Sequence, residues 1–222
     1  MEIKVLRDIL SANDGIARKN QSLFNKHGIL TINVMSSPGA GKTSFILQTI
    51  EKLKGKVRIA VIEGDVASTI DADKVSQQGV TAVQINTAGG CHLDANMTEN
   101  ALNNLPLGDI DLLLIENVGN LICPAGFALG EHKRVILLSL PEGDDKAYKY
   151  PIMFTQADVV LINKIDLLPY LDFNVSAFTD VVTGLNPSVN IFQVSCKTGQ
   201  GLEGWFSWLE EQIKEIKSHR GS

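Results

Sequence analysis

Two short segments far apart in the chain carry residues suited to binding a nucleotide. Residues 36–43 are Ser-Ser-Pro-Gly-Ala-Gly-Lys-Thr, and residues 163–166 are Asn-Lys-Ile-Asp; each follows an apolar run. Glycines in the first segment let backbone N–H groups approach phosphate oxygens. The carboxylate of the second can accept hydrogen bonds from the guanine N1–H and 2-amino groups, a donor pair that adenine lacks. Together the segments predict a GTP site.

The phosphate loop should open a helix and supply the groups that hold phosphate. Lys42 would neutralise charge on the β- and γ-phosphates, and the Thr43 hydroxyl would ligate Mg²⁺. The residues predicted to bind the nucleotide here are Ser37, Pro38, Gly39, Ala40, Gly41, Lys42, Thr43 and Ser44. Ser36 replaces the glycine that usually opens such loops, so the first turn should differ slightly. The alternative is a glycine-containing turn beside a surface lysine.

Carboxylates at two strand ends are candidates for the magnesium side of the site. Glu116 ends an apolar strand, and Gly119 follows where its N–H can meet a γ-phosphate. Asp65, in Glu-Gly-Asp, is the second candidate carboxylate. The predicted catalytic set is Lys42, Thr43, Asp65, Glu116 and Gly119, of which Thr43, Asp65 and Glu116 would hold Mg²⁺. Solvent-facing strand ends and, for Asp71, a helix N-cap are the alternatives.

The segment at 163–166 is predicted to form one wall of the base pocket. Asp166 would select guanine, Asn163 would brace the loop or touch the base, and the Lys164 stem would cover the face of the base. A second wall is predicted after the last strand, from Ser195, Cys196 and Lys197. Cys196 is interpreted as a packing residue rather than a ligand.

Two cysteines and a histidine suggest a site for a soft metal ion. Cys91 and His92 lie in Gly-Gly-Cys-His-Leu-Asp, and Cys123 lies in Leu-Ile-Cys-Pro. Neighbouring strand residues point to opposite faces, so Cys91 and His92 can share an ion only where the backbone is irregular, as Gly89 and Gly90 permit. Two thiolates and an imidazole suit Zn²⁺ or Ni²⁺, with a fourth position for water or a second chain. The alternative is two ordinary thiols beside a loop histidine.

Composition predicts a compact soluble domain. The chain has 222 residues, of which 44% are apolar and 20% charged. Its formal charge of −5 and pI near 5.4 argue against a general grip on nucleic acid. The apolar runs are shorter than the ~20 residues that span a bilayer, and no signal peptide is visible, so a cytoplasmic location without membrane contact is expected. Three cysteines are too few for a disulfide framework.

Strand-like and helix-like segments alternate along the chain. The predicted strands are Ile29–Met35, Val57–Glu63, Thr81–Ile85, Asp111–Glu116, Arg134–Leu140, Val159–Asn163 and Val189–Ser195. The predicted helices are one or two within Ile3–Lys26, then Lys42–Lys54, Asp71–Gln78, Leu93–Asn104, Asn174–Leu185 and Leu202–Lys217. Such alternation requires crossovers, hence a mostly parallel sheet covered on both faces.

We therefore predict an α/β fold, namely a three-layer P-loop GTPase domain with a mostly parallel central sheet and an N-terminal helical extension. The extension would comprise residues 1–27, and residues 28–218 would form the GTPase domain with its inserted metal site. No residue stands out as the base that activates water, so intrinsic hydrolysis should be slow.

From about Asn25 onward the sequence resembles the HypB GTPases, which help to insert nickel into [NiFe] hydrogenases. The resemblance is carried by Ser-Pro-Gly-Ala-Gly-Lys-Thr, Glu-Gly-Asp-Val, Gly-Cys-His-Leu-Asp, Ile-Glu-Asn-Val-Gly-Asn-Leu-Ile-Cys-Pro and Asn-Lys-Ile-Asp. It implies a Mg²⁺-dependent GTPase and nickel metallochaperone whose Cys91, His92 and Cys123 bind zinc or nickel. It also implies a GTP-promoted homodimer, a HypA-like nickel-binding partner and a hydrogenase large-subunit precursor as acceptor.

Residues 1–26 contain neither Cys nor His, unlike HypB members with an N-terminal Cys-x-x-Cys-Gly-Cys nickel site or a histidine-rich tract. Nickel delivery is therefore expected to rely on the metal site of the GTPase domain. Three other interpretations stay open. They are a urease-type nickel GTPase, whose metal motif is usually Cys-Pro-His, a regulatory GTP-clamped dimer with structural zinc, and a small-molecule kinase, against which residues 163–166 count.

Overall fold

A sheet of seven parallel strands forms the centre of the protein. The computed structural model describes residues 5–65 and 70–218. In these ranges the strands are β1 Leu30–Ser36, β2 Ile59–Asp65, β3 Thr81–Asn86, β4 Leu112–Glu116, β5 Lys133–Ser139, β6 Val159–Asn163 and β7 Asn190–Gln193. Their order is β3-β2-β4-β1-β5-β6-β7, and each pairing is parallel. All seven predicted strands are confirmed, and the sheet is parallel throughout.

Helices precede, connect and follow the strands. The α-helices of the described ranges are α1 Val5–His27, α2 Lys42–Leu53, α3 Ile70–Ser76, α4 Ala95–Leu102, α5 Lys146–Lys149, α6 Pro151–Thr155, α7 Val175–Leu185 and α8 Leu202–Ser218. The sequence predicted all of them except α5 and α6, which are too short to show a helical period. The first segment is a single helix. The Asp71 side chain lies outside the part of the structure that is described, so its interpretation as a helix N-cap stays a prediction.

The fourth helix begins later than predicted, and the reason is local. Asp94 is its N-cap residue: the backbone is extended, and the carboxylate accepts a hydrogen bond from the Met97 N–H at 2.7 Å. A side-chain acceptor at this position satisfies a donor that the first turn leaves open, and so fixes the start of the helix. Leu93, predicted as helical, therefore lies outside α4, in the loop that follows Cys91 and His92.

Alternating side chains of the strands produce three layers. In β4, Leu112 and Leu114 belong to the core beneath α2 and α8, whereas Leu113 and Ile115 pack with α1 and α4 on the opposite face. At the β5 and β6 end of the second face, α6 and α7 supply Phe154 and other buried residues. Strands covered on both faces are nearly continuous apolar runs, as β4 and β6 are up to their last residue. The predicted three-layer α/β architecture is confirmed.

The first helix is fixed to this domain by two buried asparagines. The Asn13 Oδ1 accepts a hydrogen bond from the Ala95 N–H, and its Nδ2 donates to the Ala128 carbonyl, both at 2.9 Å. The Asn20 Nδ2 donates to the carbonyls of Ala95 at 2.9 Å and Leu129 at 3.0 Å. The helix therefore packs on the chain's own sheet. The division of the chain into an extension and a domain at residue 27 stays a prediction.

Parallel pairing brings the ends of the central strands to one edge of the sheet. Ser36 ends β1, Asp65 ends β2, Glu116 ends β4 and Asn163 ends β6. The carboxyl ends of parallel strands are the usual location of ligand sites in open α/β sheets. The segments selected from the sequence for phosphate, magnesium and base therefore meet along this edge.

Candidate functional site

The phosphate loop lies between β1 and α2 in the predicted context. Gly39 and Gly41 have φ values of +76° and +105°, a region that side-chain-bearing residues avoid. A Cβ on Gly41 would also lie 2.6 Å from the Asn163 Nδ2. The Lys42 Nζ donates a hydrogen bond to the Ser36 Oγ at 3.1 Å. The serine that replaces the usual glycine thus makes a contact that glycine cannot make, with the lysine predicted to bind phosphate.

A pocket of about 470 Å³ lies beside the loop, between the ends of β2 and β4. The Thr43 Oγ1 donates to the Glu116 Oε1 at 3.1 Å. Glu116 is in register with Glu63 on the neighbouring strand, and both are nearly buried, at 6% and 3% exposure. Asp65 also lines the pocket. These oxygen donors are the type that Mg²⁺ prefers, and the repulsion between neighbouring carboxylates favours a bound cation.

Gly119 lies directly against the phosphate loop. A Cβ on this residue would lie 3.0 Å from the Cα, Cγ and backbone nitrogen of Pro38. Real Cβ atoms rarely come so close to backbone, so this position accommodates only hydrogen without a shift. The segment that follows Glu116 is therefore in van der Waals contact with the loop predicted to hold the phosphates.

The segment at 163–166 is docked on the same loop. The Asn163 Nδ2 donates to the Ala40 carbonyl at 2.9 Å, and the Lys164 Nζ donates to the Gly39 carbonyl at 2.7 Å. Lys164 has a φ of +63°, in the left-handed region that is uncommon for a residue with a side chain. The structure thus joins the two predicted nucleotide segments through side-chain hydrogen bonds.

The second wall of the predicted base pocket also contacts this segment. The Ser195 Oγ donates to the Asp166 Oδ1 at 2.6 Å, and the Cys196 N–H donates to the Asn163 Oδ1 at 3.1 Å. Cys196 itself packs in the core, where burial raises the pKa of its thiol to about 12. Lys197 is exposed. The carboxylate predicted to read guanine is therefore oriented by a neighbouring hydroxyl.

Cys91, His92 and Cys123 come together in the segments that follow β3 and β4. Their candidate ligand atoms all lie within 4.8 Å of one another, and the Cys91 Sγ is 3.5 Å from the His92 Nδ1. The irregular backbone that the sequence required is present, because Ala88 and Gly89 have φ values of +49° and +97°. Two sulfurs and an imidazole nitrogen fit a soft or borderline divalent metal.

The surroundings of Cys91, His92 and Cys123 shift the pKa values of His92 and Cys123. The His92 ring stacks on Phe127, with ring centroids 3.9 Å apart. Burial lowers the pKa of His92, and the nearby Asp94 carboxylate opposes this effect. The hydrogen bond with Cys91 raises the pKa of the Cys123 thiol. A bound cation reverses that shift, since metal coordination deprotonates thiols.

The predictions did not include several residues that the structure places at the two sites. Glu63 was omitted because its role depends on strand register, although residues 61, 63 and 65 share one face of β2. Asn120 donates to the Cys91 carbonyl at 3.4 Å and accepts from the Ile122 N–H at 2.8 Å. Phe127 gave no signal in the sequence, because its stacking partner lies far away in the chain.

The fold and these segments define a P-loop nucleotide-binding protein. The family described as CobW/HypB/UreG, nucleotide-binding domain, matches residues 30–193. The hydrogenase maturation factor HypB of Rhizobium leguminosarum bv. viciae is 47% identical over 208 residues, covering 94% of this chain and 70% of that protein. The hydrogenase/urease maturation factor HypB of Helicobacter pylori is 41% identical, covering 96% and 89%.

A solved structure agrees with these relatives. The crystal structure of HypB from Helicobacter pylori in complex with nickel matches with a TM-score of 0.87 and 41% identity, over 92% of this chain and 96% of that one. The chain belongs to the CobW/HypB/UreG family and, within it, to the HypB hydrogenase maturation factors. The resemblance noted in the sequence is confirmed. Of the helices described, none has the length and apolarity that crossing a membrane requires.

The contact between Gly119 and Pro38 generates a prediction for nucleotide binding. In Gly119→Ala the added methyl must push the two segments apart, and overpacking of this kind costs about 1–3 kcal/mol. We expect nucleotide affinity to fall by about 5- to 150-fold, measured by titration with a fluorescent nucleotide. Gly108→Ala is the matched control, since nothing lies within 4 Å of its Cβ. Equal affinity in both variants would contradict the contact.

Proposed function

We propose that this chain is a Mg²⁺-dependent GTPase, converting GTP to GDP and phosphate, that acts as a nickel metallochaperone in [NiFe] hydrogenase maturation. The observation that carries the proposal is the segment from Glu116 to Cys123. Its first residue is hydrogen-bonded to Thr43, and its last lies within 4.8 Å of the Cys91 and His92 ligand atoms. One continuous segment thus connects the magnesium side of the pocket with Cys91, His92 and Cys123, the metal triad of this proposal.

Mg²⁺ and GTP suit the charges of the pocket. Lys42 would neutralise the β- and γ-phosphates, while Thr43, Glu116 and Asp65 would hold the magnesium ion, with Glu63 beside them. Bound magnesium would offset phosphate charge and orient the γ-phosphate. The described carboxylates of the pocket would then lie on the magnesium side. None of them would be left to act as the base that activates water, so we expect slow hydrolysis.

GTP binding would act on the metal triad through Gly119. A γ-phosphate that accepts a hydrogen bond from the Gly119 N–H would reposition the following residues, which end at Cys123. Nickel would be the cargo of this triad. Cys91 is exposed, which suits an ion that must be handed to another protein better than one fixed as structural zinc.

A homodimer that forms on GTP binding is part of the proposal. Large apolar side chains remain exposed, among them Ile122 at 65%, Tyr148 at 70%, Ile152 at 63% and Tyr170 at 81%. Ile122 directly precedes Cys123 and shares a groove with Ile152. Exposed apolar surface of this kind is typical of interfaces, and two copies joined here would bring their triads close together.

The proposed partners follow from the family. A HypA-like nickel-binding protein would supply the ion, and a hydrogenase large-subunit precursor would accept it. Urease is a second candidate acceptor, because the name of the Helicobacter pylori relative includes both enzymes.

The assignment of Asp166 to guanine recognition predicts a change in base selectivity. Asp166→Asn removes the carboxylate that would accept from guanine, where hydrogen bonds to charged groups contribute about 1.5–3 kcal/mol each. We expect GTP affinity to fall by about 100-fold or more and ATP affinity to change little, measured by isothermal titration. Asp172→Asn, on an exposed residue nearby, is the control. Undiminished GTP binding in Asp166→Asn would rule out this role.

The metal triad predicts that two of the three cysteines are required for nickel binding. In Cys91→Ser or Cys123→Ser a thiolate ligand is lost, and we expect Ni²⁺ affinity to fall by at least about 100-fold. Titration followed by the thiolate-to-nickel absorbance, with GDP or a non-hydrolysable GTP analogue, measures the effect. Cys196→Ser is the matched control and should bind nickel as wild type does. Wild-type affinity in the first two variants would overturn the nickel assignment.

Cells that lack their own HypB can show which enzyme, hydrogenase or urease, receives the nickel. We expect the wild-type chain to restore hydrogenase activity, whereas Lys42→Ala and Cys123→Ser fail to do so because each disables one of the two sites. Hydrogenase and urease activities are measured in the same cells at limiting nickel. Restoration of urease alone would favour the second acceptor, and restoration of hydrogenase by Lys42→Ala would argue against a role for the nucleotide.

A further inference from the structure

We propose that Asn117 is the positioning residue through which the nucleotide site and the metal triad act on each other. This inference rests on the proposed function and names the side chain that couples its two sites. Asn117 directly follows Glu116, and its side chain is fully buried, at 0% exposure. No role for Asn117 was predicted from the sequence.

The carboxamide of Asn117 connects the two loops. Its Oδ1 accepts hydrogen bonds from the Leu93 N–H at 3.1 Å and from the Val118 N–H at 2.9 Å. Leu93 is the residue after His92, and Val118 is the residue before Gly119. One oxygen atom therefore joins the backbone beside a candidate metal ligand to the backbone beside the expected γ-phosphate contact.

The side chain of Leu93 makes a second connection. Leu93 is fully buried and covers Gly64, the residue between Glu63 and Asp65. A Cβ on Gly64 would lie 2.7–2.9 Å from three atoms of the Leu93 side chain. Leu93 is thus held through its N–H by Asn117, the residue after β4, and through its side chain by Gly64 in β2. Displacement of either strand end therefore reaches the backbone next to His92.

Hydrogen-bond logic fixes the orientation of the Asn117 amide. Glu131 accepts hydrogen bonds from the Leu129 N–H at 2.6 Å and the Arg134 Nε at 2.7 Å, which marks it as an ionised carboxylate. A carboxylate only accepts, so the Asn33 group 3.4 Å away must be its NH₂. The Asn33 oxygen then faces the Asn117 Nδ2 at 3.2 Å. The Asn117 oxygen must consequently face the two N–H groups.

This arrangement links the position of Gly119 to the position of Leu93. The anchored Nδ2 holds the carboxamide in place, while its oxygen is shared between Leu93 and Val118. Movement of Val118 as Gly119 meets a γ-phosphate alters the shared oxygen's hydrogen bonds and, with them, the position of Leu93. By linkage, a metal ion that fixes His92 must favour the corresponding position of Gly119 to the same degree.

The test compares the Ni²⁺ dissociation constants in GDP and in a non-hydrolysable GTP analogue, both saturating. For wild type we expect their ratio to differ from one by about 5- to 150-fold, the usual range of allosteric coupling. In Asn117→Ala the ratio should fall to within about twofold of one. Asn186→Ala is the matched control, because Asn186 is also buried and its Oδ1 also accepts a hydrogen bond from a backbone N–H, but it lies between α7 and β7, outside both sites. It should keep the wild-type ratio.

The outcomes separate this inference from the proposed function. A wild-type ratio of one overturns nucleotide gating and the coupling role together. A wild-type ratio far from one that persists in Asn117→Ala overturns the role of Asn117 alone. Hydrogen exchange at the Leu93 amide of the wild-type protein provides a measurement that does not depend on the variant's folding. Its protection should differ between the two nucleotides, and equal protection would also overturn the inference.

Discussion

The position of β4 between β1 and β2 is the constraint on which both sites depend. Glu116 is in register with Val34 on one side and Glu63 on the other. Because successive strand residues face opposite layers, a shift of one residue would turn Glu116 away from Thr43 and toward α1 and α4. The same shift would move the segment ending at Cys123 relative to Cys91. Parallel register thus sets both the proposed magnesium side of the pocket and the separation of the proposed metal ligands.

The protein's own hydrogen bonds assemble the base and phosphate segments into one unit. Asn163 and Lys164 donate to carbonyls of the phosphate loop, and Asn163 also accepts from the backbone of Cys196. A buried amide with both ends satisfied costs little, whereas removal of either partner leaves a polar group without compensation. The segment predicted to bind the base therefore also stabilises the loop predicted to hold phosphate. A change at Asn163 should be expected to affect both ends of the nucleotide.

Much of the fold follows from local sequence pattern. Seven apolar runs and six of the helices are visible because each is long enough to show its period, whereas α5 and α6 are not. The phosphate and base segments are visible because their chemistry is contained in a few consecutive residues. The metal triad could be suspected but not assembled, since it depends on the backbone of Ala88 and Gly89. Glu63 and Asn117 acquire their contacts only through register and through a loop elsewhere in the chain.

The attachment of α1 limits how this candidate metal site could be transferred to another protein. Asn13 and Asn20 each hydrogen-bond both to Ala95, in the segment after His92, and to residues 128–129, in the segment after Cys123. The helix holds the two segments that carry the candidate metal ligands, on the face of the sheet opposite α2 and α8. Grafting the Cys-His and Cys segments onto another P-loop protein would reproduce the ligands without their spacing. The helix would have to be transferred with them.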